Sequence, residues 1–193
     1  FEGAEIESNE YKFTIYQINV GDAVYRSKLA GQNHAGLLYT YVGENKIGDL
    51  YNYHNYIVIH APGAFCVVQY DNLVDLIGEE EYYGPYYPLN FSNNERKSVC
   101  KTAKELLGKS YCWIEVLEYY GLEWDGTPSD IKAIRCNGVV EFSHEYRGSR
   151  IWGDDNRWNI AISEDNLSYH NTYLTPAKQR TQSTLHPDTL FKP

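Results

Sequence analysis

The chain has 193 residues, of which 42% are hydrophobic and 22% are charged; this composition is typical of a globular domain with a sizeable core and excludes a disordered chain. Its net charge of −9 argues against nucleic acid or an anionic membrane as a partner, because both attract basic surfaces. This charge fits a peptide or another small molecule as the partner. No apolar run approaches the about 20 residues that span a membrane.

The cysteines and the N-terminus add two further expectations. Cys66, Cys100, Cys112 and Cys136 are irregularly spaced and include no C-x-x-C pair, which argues against a zinc site and against a disulfide framework. The sequence begins with Phe1 and contains no methionine. We therefore expect a trimmed N-terminus, produced either by removal of a signal peptide or by truncation.

Alternating or short apolar runs predict β-strands through the first 70 residues. The predicted strands are FTIYQI (13–18), GDAVYR (21–26), HAGLLYTYVG (34–43), YIVIH (56–60) and FCVVQY (65–70). Residues 71–77 predict a short helix. The tyrosine-rich segment EYYGPYYP (81–88) has two interpretations, a wall of a binding cleft or a loop that covers the edge of the core. Its Gly and Pro favour the loop.

Helical periodicity begins in the middle of the chain. Ser92 or a neighbouring Asn is a suitable N-cap for a helix that runs towards Gly108. Residues 113–120 predict a second helix and residues 136–146 a third, while the polar tail that follows carries no predicted element. This order predicts a single α+β domain over residues 1–193, with an antiparallel sheet first and helices afterwards.

Cys136 stands at the start of the third predicted helix, a favourable position for a nucleophilic thiol. The helix dipole stabilises a thiolate there, and the unpaired N–H groups of the first turn can hold an oxyanion. His34 opens one predicted strand and His60 closes another, so their imidazoles could meet as a base and its orienting partner. The alternatives are a buried, inert cysteine and two structural histidines.

Five short motifs carry a resemblance to a known family. In chain order they are GDAVY (21–25), HAGLLY with VG (34–39 and 42–43), IHAPG (59–63), LGKSY (107–111) and RCNGVV (135–140). They resemble motifs of the NlpC-type, papain-like cysteine peptidases and amidases. The usual order of that family places the last two motifs first, so the chain resembles its circularly permuted members.

The resemblance implies a permuted papain-like fold, an α+β arrangement in which an antiparallel sheet or barrel packs against helices. The nucleophilic cysteine of that fold lies at the N-terminus of a helix. The segment LTPAKQR (174–180) also resembles the C-terminal part of permuted members.

The resemblance also implies roles for individual residues. Cys136 would be the nucleophile, and His34 would act as general base and then as general acid. His60 would orient the imidazole of His34. Tyr111 matches a family tyrosine that lines the site and helps to hold the oxyanion.

Three departures from the family pattern surround the nucleophile. Arg135 stands where the family usually has Asp, and Asn137 replaces Ser. Arg135 could lower the pKa of the thiol or bind a carboxylate of the substrate, and Asn137 is a further candidate for substrate binding. Residues 112–114 (CWI) replace the usual Trp-Gly-Gly, so the substrate specificity of the family does not transfer.

The expected function is therefore that of a cysteine hydrolase, a thiol peptidase or amidase that cleaves an amide bond through a Cys136–His34–His60 triad and an acyl-enzyme. Short peptides, such as the stem peptides of a bacterial cell wall, are the expected substrates. This implies a secreted or cell-envelope protein, with the cytoplasm as the alternative location.

Two other function classes stay open. The first is an acyltransferase, or a hydrolase of lipid amides or thioesters, that uses the same Cys and His together with an apolar groove. Leu76, Ile77 and the tyrosine-rich segment could supply that groove. The second is a non-enzymatic binding module or an immunity-type protein on the same fold. The oligomeric state is also left open.

No cofactor and no metal are expected. His34, His54 and His60 could share a strand face, but no acidic or cysteine ligand completes a zinc spacing pattern. Residues 153–156 (GDDN) hint at calcium and then fail the loop pattern. The remaining histidines, which are assigned to packing or to the surface, are His144, His170 and His186.

Overall fold

The computed structural model describes residues 4–8, 11–15, 19–27, 33–42 and 53–187. It is a mixed α+β fold in which an antiparallel sheet packs against several helices, as expected from the sequence. Among the described residues, no helix combines the length and the apolar character that crossing a membrane requires. Residues 16–18 of the first predicted strand and Gly43 of the third lie outside the described residues.

The main sheet has six strands in the order β11-β7-β3-β4-β5-β6, and all neighbouring strands are antiparallel. These strands are β3 (Ala23–Arg26), β4 (His34–Tyr41), β5 (Tyr56–His60), β6 (Gln69–Asn72), β7 (Tyr82–Pro88) and β11 (Leu185–Pro187). Strands β11 and β6 form the two edges, so the described strands make an open sheet and do not close into a barrel.

Two smaller sheets accompany the main one. Strands β1 (Ala4–Ser8) and β2 (Tyr11–Ile15) form an antiparallel pair. A three-stranded sheet has β10 (Ile131–Ile134) at its centre, parallel to β8 (Ser110–Tyr111) and antiparallel to β9 (Leu117–Tyr119). Strand β10 leads into the helix that carries Cys136.

The described helices are α1 (Leu73–Ile77), α2 (Asn93–Glu105), α3 (Cys136–Glu145), α4 (Glu164–Tyr173) and α5 (Pro176–Gln182). Helix α2 begins at the predicted N-cap, where Ser92 and Glu95 form a reciprocal capping box. Helix α3 is the central helix: it packs against β4, β5 and α2, and every one of its residues is buried.

Strand alternation divides the apolar side chains between the two faces of the main sheet. Ala23, Tyr25 and Leu37 face the large core around α3. Val24 and Leu38 face a smaller core beneath α1. Both faces of the central strands are therefore covered, which fixes the strand register firmly.

The helix predicted over residues 113–120 is wrong. Leu117–Tyr119 is strand β9, paired with β10. The backbone N–H groups of Val116 and Leu117 both donate to Oδ1 of Asn171 in α4, at 2.9 and 3.2 Å. These N–H groups thus bond to the side chain of a residue far along the chain and not to the carbonyl oxygens of a preceding helical turn. Local periodicity cannot reveal such a contact.

The loop predicted at residues 81–88 is also wrong, because Tyr82–Pro88 is strand β7 between β3 and β11. Gly84 adopts a positive φ of 89°, and the β3–β7 pairing shifts register there. Gly84 therefore permits a register shift within the strand and does not form a turn. The predicted short helix is confirmed from Leu73 onwards, with residues 71–72 belonging to β6.

Candidate active site

Cys136 is the first residue of α3 and follows β10 after one connecting residue, Arg135. Arg135 has the extended backbone of an N-cap (φ −85°, ψ 163°) and its side chain makes no capping hydrogen bond to the helix. The side chain of the N-cap residue therefore leaves the N–H groups of the first turn uncapped. Cys136 is 2% exposed, so little water screens the positive end of the helix dipole.

A close backbone approach fixes the position of this helix start. A Cβ atom built on Gly138 would lie 2.4 Å from the carbonyl oxygen of Val116 and 2.7 Å from Cγ1 of Ile134. Real Cβ atoms do not approach other atoms this closely. Only glycine lets the first turn of α3 rest directly on this backbone, which holds Cys136 in place.

The two predicted catalytic histidines are in contact. Nε2 of His34, at the start of β4, lies 2.8 Å from Nδ1 of His60, at the end of β5. Gly36 makes room between the strands, because a Cβ there would lie 3.4 Å from Cβ of His60 and 2.6 Å from Cδ1 of Leu76. Both imidazoles are buried, so their mutual hydrogen bond is shielded from water.

Asp71 extends this pair into a chain, and the sequence reasoning missed it. Its Oδ2 lies 2.7 Å from Nε2 of His60 and also accepts a hydrogen bond from Nε2 of Gln69 at 2.8 Å. An ionised carboxylate can only accept, so His60 carries its proton on Nε2. Nδ1 of a neutral His60 is then an acceptor for Nε2–H of His34. By elimination, the basic lone pair of a neutral His34 is on Nδ1.

The environment of His60 favours this neutral form. Burial lowers the pKa of His60, while the hydrogen bond and charge of Asp71 act in the opposite direction and the nearby Arg26 lowers the pKa further. Because both ring nitrogens of His60 have partners in His34 and Asp71, the ring is not free to bind zinc together with His54. This argues for the hydrogen-bonded chain over the zinc alternative.

Tyr111 lies beside the helix start through the parallel pairing of β8 with β10, in which it is the partner of Ile134. Burial raises the pKa of Tyr111 to about 12, and a charge on Cys136 is the second cause. The phenol therefore stays protonated at neutral pH and can donate a hydrogen bond. This is the property that an oxyanion donor needs.

Arg26 is a further neighbour of the site that the sequence reasoning did not single out. It is directly opposite His34 in the β3–β4 pairing. Burial lowers its pKa, and negative charges on Glu80 and Cys136 oppose that effect. The guanidinium thus lies within electrostatic reach of Cys136 as well as of His60. In the sequence, Arg26 ends the predicted strand GDAVYR, and this strand directly precedes the strand that begins with His34. If the two strands form an antiparallel pair, these two ends meet.

The guanidinium of Arg135 donates hydrogen bonds to two backbone carbonyl oxygens and to one side chain. It donates to the carbonyl oxygens of Ile114 and Leu174 at 2.9 and 2.7 Å, and to Oδ1 of Asn137 at 2.7 Å. These bonds tie the β8–β9 connection and the end of α4 to the start of α3. The predicted effect of Arg135 on the thiol or on a substrate carboxylate stays a prediction.

Asn137 is fully buried, and its neighbours include a residue from the C-terminal part of the chain. Gln179 of α5 donates from Nε2 to the carbonyl oxygen of Asn137 at 2.9 Å and to Oε2 of Glu141. Oε1 of Gln179 accepts from the hydroxyl of Tyr25 at 3.1 Å. Gln179 of the LTPAKQR segment therefore links α3 to β3. A role of Asn137 in substrate binding stays a prediction.

The other three cysteines differ from Cys136 in their surroundings, and none of the four, all within the described residues, forms a disulfide. Burial raises the pKa of the Cys100 thiol to about 12 and that of Cys112 to about 11, so neither is a thiolate at neutral pH. Cys66 is exposed and belongs to no helix N-terminus.

The structure also locates the residues of the apolar-groove and calcium hypotheses. Leu76 is buried in the small core, Ile77 packs against that core, and the tyrosine-rich segment is strand β7 within the main sheet. An apolar groove built from these residues stays a prediction. The candidate calcium segment has its carboxylates paired with arginines: Asp154 with Arg157 at 2.6 Å, and Asp155 with Arg150 at 2.6 Å. His186 is exposed, whereas His144 and His170 are fully buried.

Comparisons of the chain with protein-family models, with curated proteins and with solved structures find no match.

Proposed function

We propose that the protein is a cysteine hydrolase with a permuted papain-like fold of the NlpC type, and that it cleaves an amide bond through Cys136, His34 and His60. The observation that carries the proposal is the hydrogen-bonded chain from Asp71 through His60 to His34. Such a chain fixes one tautomer of the terminal imidazole, which is the function of the third member of a catalytic triad.

In the first half of the reaction, Nδ1 of His34 takes the thiol proton of Cys136, and the thiolate attacks the amide carbonyl carbon. The tetrahedral oxyanion is held by the N–H groups at the start of α3 and by the hydroxyl of Tyr111. His34 then returns the proton to the leaving amine, the C–N bond breaks and a thioester remains on Cys136.

In the second half, His34 takes a proton from water, and the hydroxide attacks the thioester carbonyl. The C–S bond breaks, the carboxylic acid leaves, and the proton on His34 returns to the sulfur. Asp71 and His60 hold the imidazole of His34 in one orientation throughout, so the ring need not rotate between the two halves of the reaction.

Short peptides, including the stem peptides of bacterial cell walls, are the proposed substrates. The acidic chain, with its net charge of −9, suits a small peptide better than a polyanion. Arg26 is the cationic side chain beside His34 and could bind a carboxylate of such a peptide.

Mass spectrometry of a peptidoglycan stem-peptide mixture tests this proposal, with the wild-type protein and Cys136→Ala incubated side by side. New fragments that require the intact thiol would support it and identify the scissile bond. If folded wild-type protein releases no fragments, the same samples incubated with acyl thioesters and lipid amides would test the acyl-transfer alternative. Failure with all three substrate types would favour the binding module.

A further inference from the structure

A buried cluster of three side chains lies away from the thiol, between α3 and α4. Glu141 and Glu145 are one turn apart on α3, and His170 projects from α4. One ligand atom from each of the three lies within 4.8 Å of the others. All three residues are 0% exposed, so water does not solvate their polar atoms.

The imidazole of His170 presents a lone pair to the two carboxylates. Its Nδ1 lies 2.8 Å from the backbone carbonyl oxygen of Asn166, which can only accept, so Nδ1 carries a proton. Nε2 of the neutral ring is therefore an acceptor. It lies 3.4 Å from Oε1 of Glu141 and 3.4 Å from Oε2 of Glu145. Three acceptors thus converge on one point.

An imidazolium in this position would not explain the distances. A charge-assisted N–H···O bond is about 2.7–2.9 Å long, whereas both contacts are 3.4 Å. Nε2 of His170 and Oε1 of Glu141 are both buried with no hydrogen-bond partner. Such atoms in a native core call for an explanation, and an unseen ion is one of the few that exist.

We propose that Glu141, Glu145 and His170 bind a divalent transition-metal cation such as Zn²⁺. Ligand atoms at about 2.0–2.2 Å from a tetrahedral zinc are about 3.3–3.6 Å apart, which matches both separations of 3.4 Å. Without a cation, burial and the adjacent Glu141 raise the pKa of Glu145 and favour its protonated form. With a cation bound, two carboxylates and a neutral imidazole would carry a charge of −2, which one such cation neutralises.

The surroundings of the cluster resemble those of metal ligands. The proton on Nδ1 of His170 is held by a carbonyl, the usual outer partner of a metal-bound histidine. Oε1 of Glu145 accepts from the N–H groups of Ile151 and Trp152 at 3.2 and 3.3 Å, and its Oε2 accepts from the N–H of Ile160 at 3.0 Å. Oε2 of Glu141 accepts from Gln179. These bonds orient the carboxylates and leave Oε1 of Glu141 directed at His170.

The donor set also selects the kind of cation. One nitrogen and two carboxylate groups suit Zn²⁺ and its transition-metal neighbours, whereas Ca²⁺ requires six to eight oxygen ligands and Mg²⁺ keeps several waters. A water molecule or a second carboxylate oxygen would complete a four-coordinate site. Because the cluster joins α3 to α4, the cation would fasten the helix that carries Cys136, independently of any chemistry at the thiol.

Metal analysis of the full chain tests the proposal. Wild-type protein is treated with a chelator, reloaded with Zn²⁺, desalted and analysed for bound zinc. We expect one equivalent, together with a rise of at least about 5 °C in Tm relative to the chelator-treated sample. A folded wild-type protein that retains no zinc would overturn the proposal.

Matched variants locate the metal. Glu141→Gln and His170→Gln should lose the bound zinc and the Tm increase. The exposed controls Glu123→Gln and His186→Gln should keep both. Cys136→Ala should also keep both, whereas loss of zinc in that variant would assign the metal to the thiol site and overturn the proposal. Retention of one equivalent in folded Glu141→Gln and His170→Gln would overturn it as well.

A measurement without mutations covers the case in which the cluster variants do not fold. X-ray absorption at the zinc edge of the reloaded wild-type protein should show nitrogen and oxygen ligands, including one imidazole, and no sulfur. A sulfur ligand, or more than one imidazole, would overturn the assignment to this cluster.

Discussion

The imidazoles of His34 and His60 are hydrogen-bonded to each other with their ring planes nearly perpendicular. Nε2 of His34 lies 2.8 Å from Nδ1 of His60, and the planes are inclined by 76°. Each ring is carried by a different strand of the sheet, so the register of β4 against β5 sets the orientation of the proposed base. A register error of one residue would turn one ring to the opposite face.

The first prediction concerns the thiol. Cys136→Ala should reduce peptide turnover by at least about 10³-fold, because the proposed acyl-enzyme cannot form. The free energy of unfolding should change by no more than about 1–2 kcal/mol, since alanine fits the helix start. Turnover assays and urea unfolding measure the two effects. Cys66→Ala, at an exposed thiol, is the control, and activity retained in Cys136→Ala would refute the thiol mechanism.

The second prediction ranks the members of the hydrogen-bonded chain. His34→Ala should reduce kcat more than His60→Ala does, because loss of the base costs more than loss of its orienting partner. Asp71→Asn should reduce kcat by about 10–100-fold, because an amide can present a donor to His60 and reverse its tautomer. Steady-state kinetics on folded variants give the ranking, and a larger loss in His60→Ala than in His34→Ala would exchange the two roles.

The third prediction concerns stability at acid pH and depends on His144. Burial lowers the pKa of His144 to about 4, below its ordinary value near 6.5, and outweighs the carbonyl oxygens of Val140 and Gly21, which lie 2.9 and 3.0 Å from the two ring nitrogens and raise the pKa. Between these two pH values the unfolded chain binds a proton that the native state does not, so stability falls as the pH is lowered. From pH 7 to pH 5 this residue should account for about 2 kcal/mol of lost stability.

Urea unfolding of the wild-type protein and of His144→Gln at both pH values measures this contribution. The loss between pH 7 and pH 5 should be smaller in the variant by about that amount. His60, whose pKa is also lowered, acts with the same sign in both proteins and therefore cancels in the comparison. An equal loss in the two proteins would contradict the prediction.

The fourth prediction contrasts two glycines. Gly138→Ala should destabilise the protein by about 3 kcal/mol, because its Cβ would meet the backbone oxygen of Val116 at 2.4 Å. Gly108→Ala should cost only about 1 kcal/mol, because its φ is +81° but nothing lies within 4 Å of the new atom. Thermal or urea unfolding distinguishes them, and equal costs would show that the close approach of α3 is not needed.

The sequence predicted the parts of the site that depend on local pattern. His34 and His60 were placed correctly at the ends of β4 and β5, because alternation and strand length are visible in the residues themselves. Cys136 was placed correctly at the start of α3. Asp71 was missed because its contact with His60 depends on how β5 pairs with β6, which no local pattern encodes.

The other misses have the same kind of cause. Helix α4 has no clear apolar face in its sequence, and its N-cap Ser163 is one polar residue among many. Glu141 and Glu145 are spaced as neighbours on a helix, but their partner His170 comes 25 or more residues later in the chain. Only tertiary packing brings that ring to the two carboxylates.

The position of Gln179 has a consequence for the order of events during synthesis. This side chain bonds to Tyr25 on β3 and to Asn137 and Glu141 on α3, so it braces the helix that carries Cys136 against the sheet. A ribosome makes it more than 40 residues after Cys136. A nascent chain that already displays the cysteine and both histidines therefore still lacks this brace, and the thiol helix gains its final support only after the LTPAKQR segment has emerged.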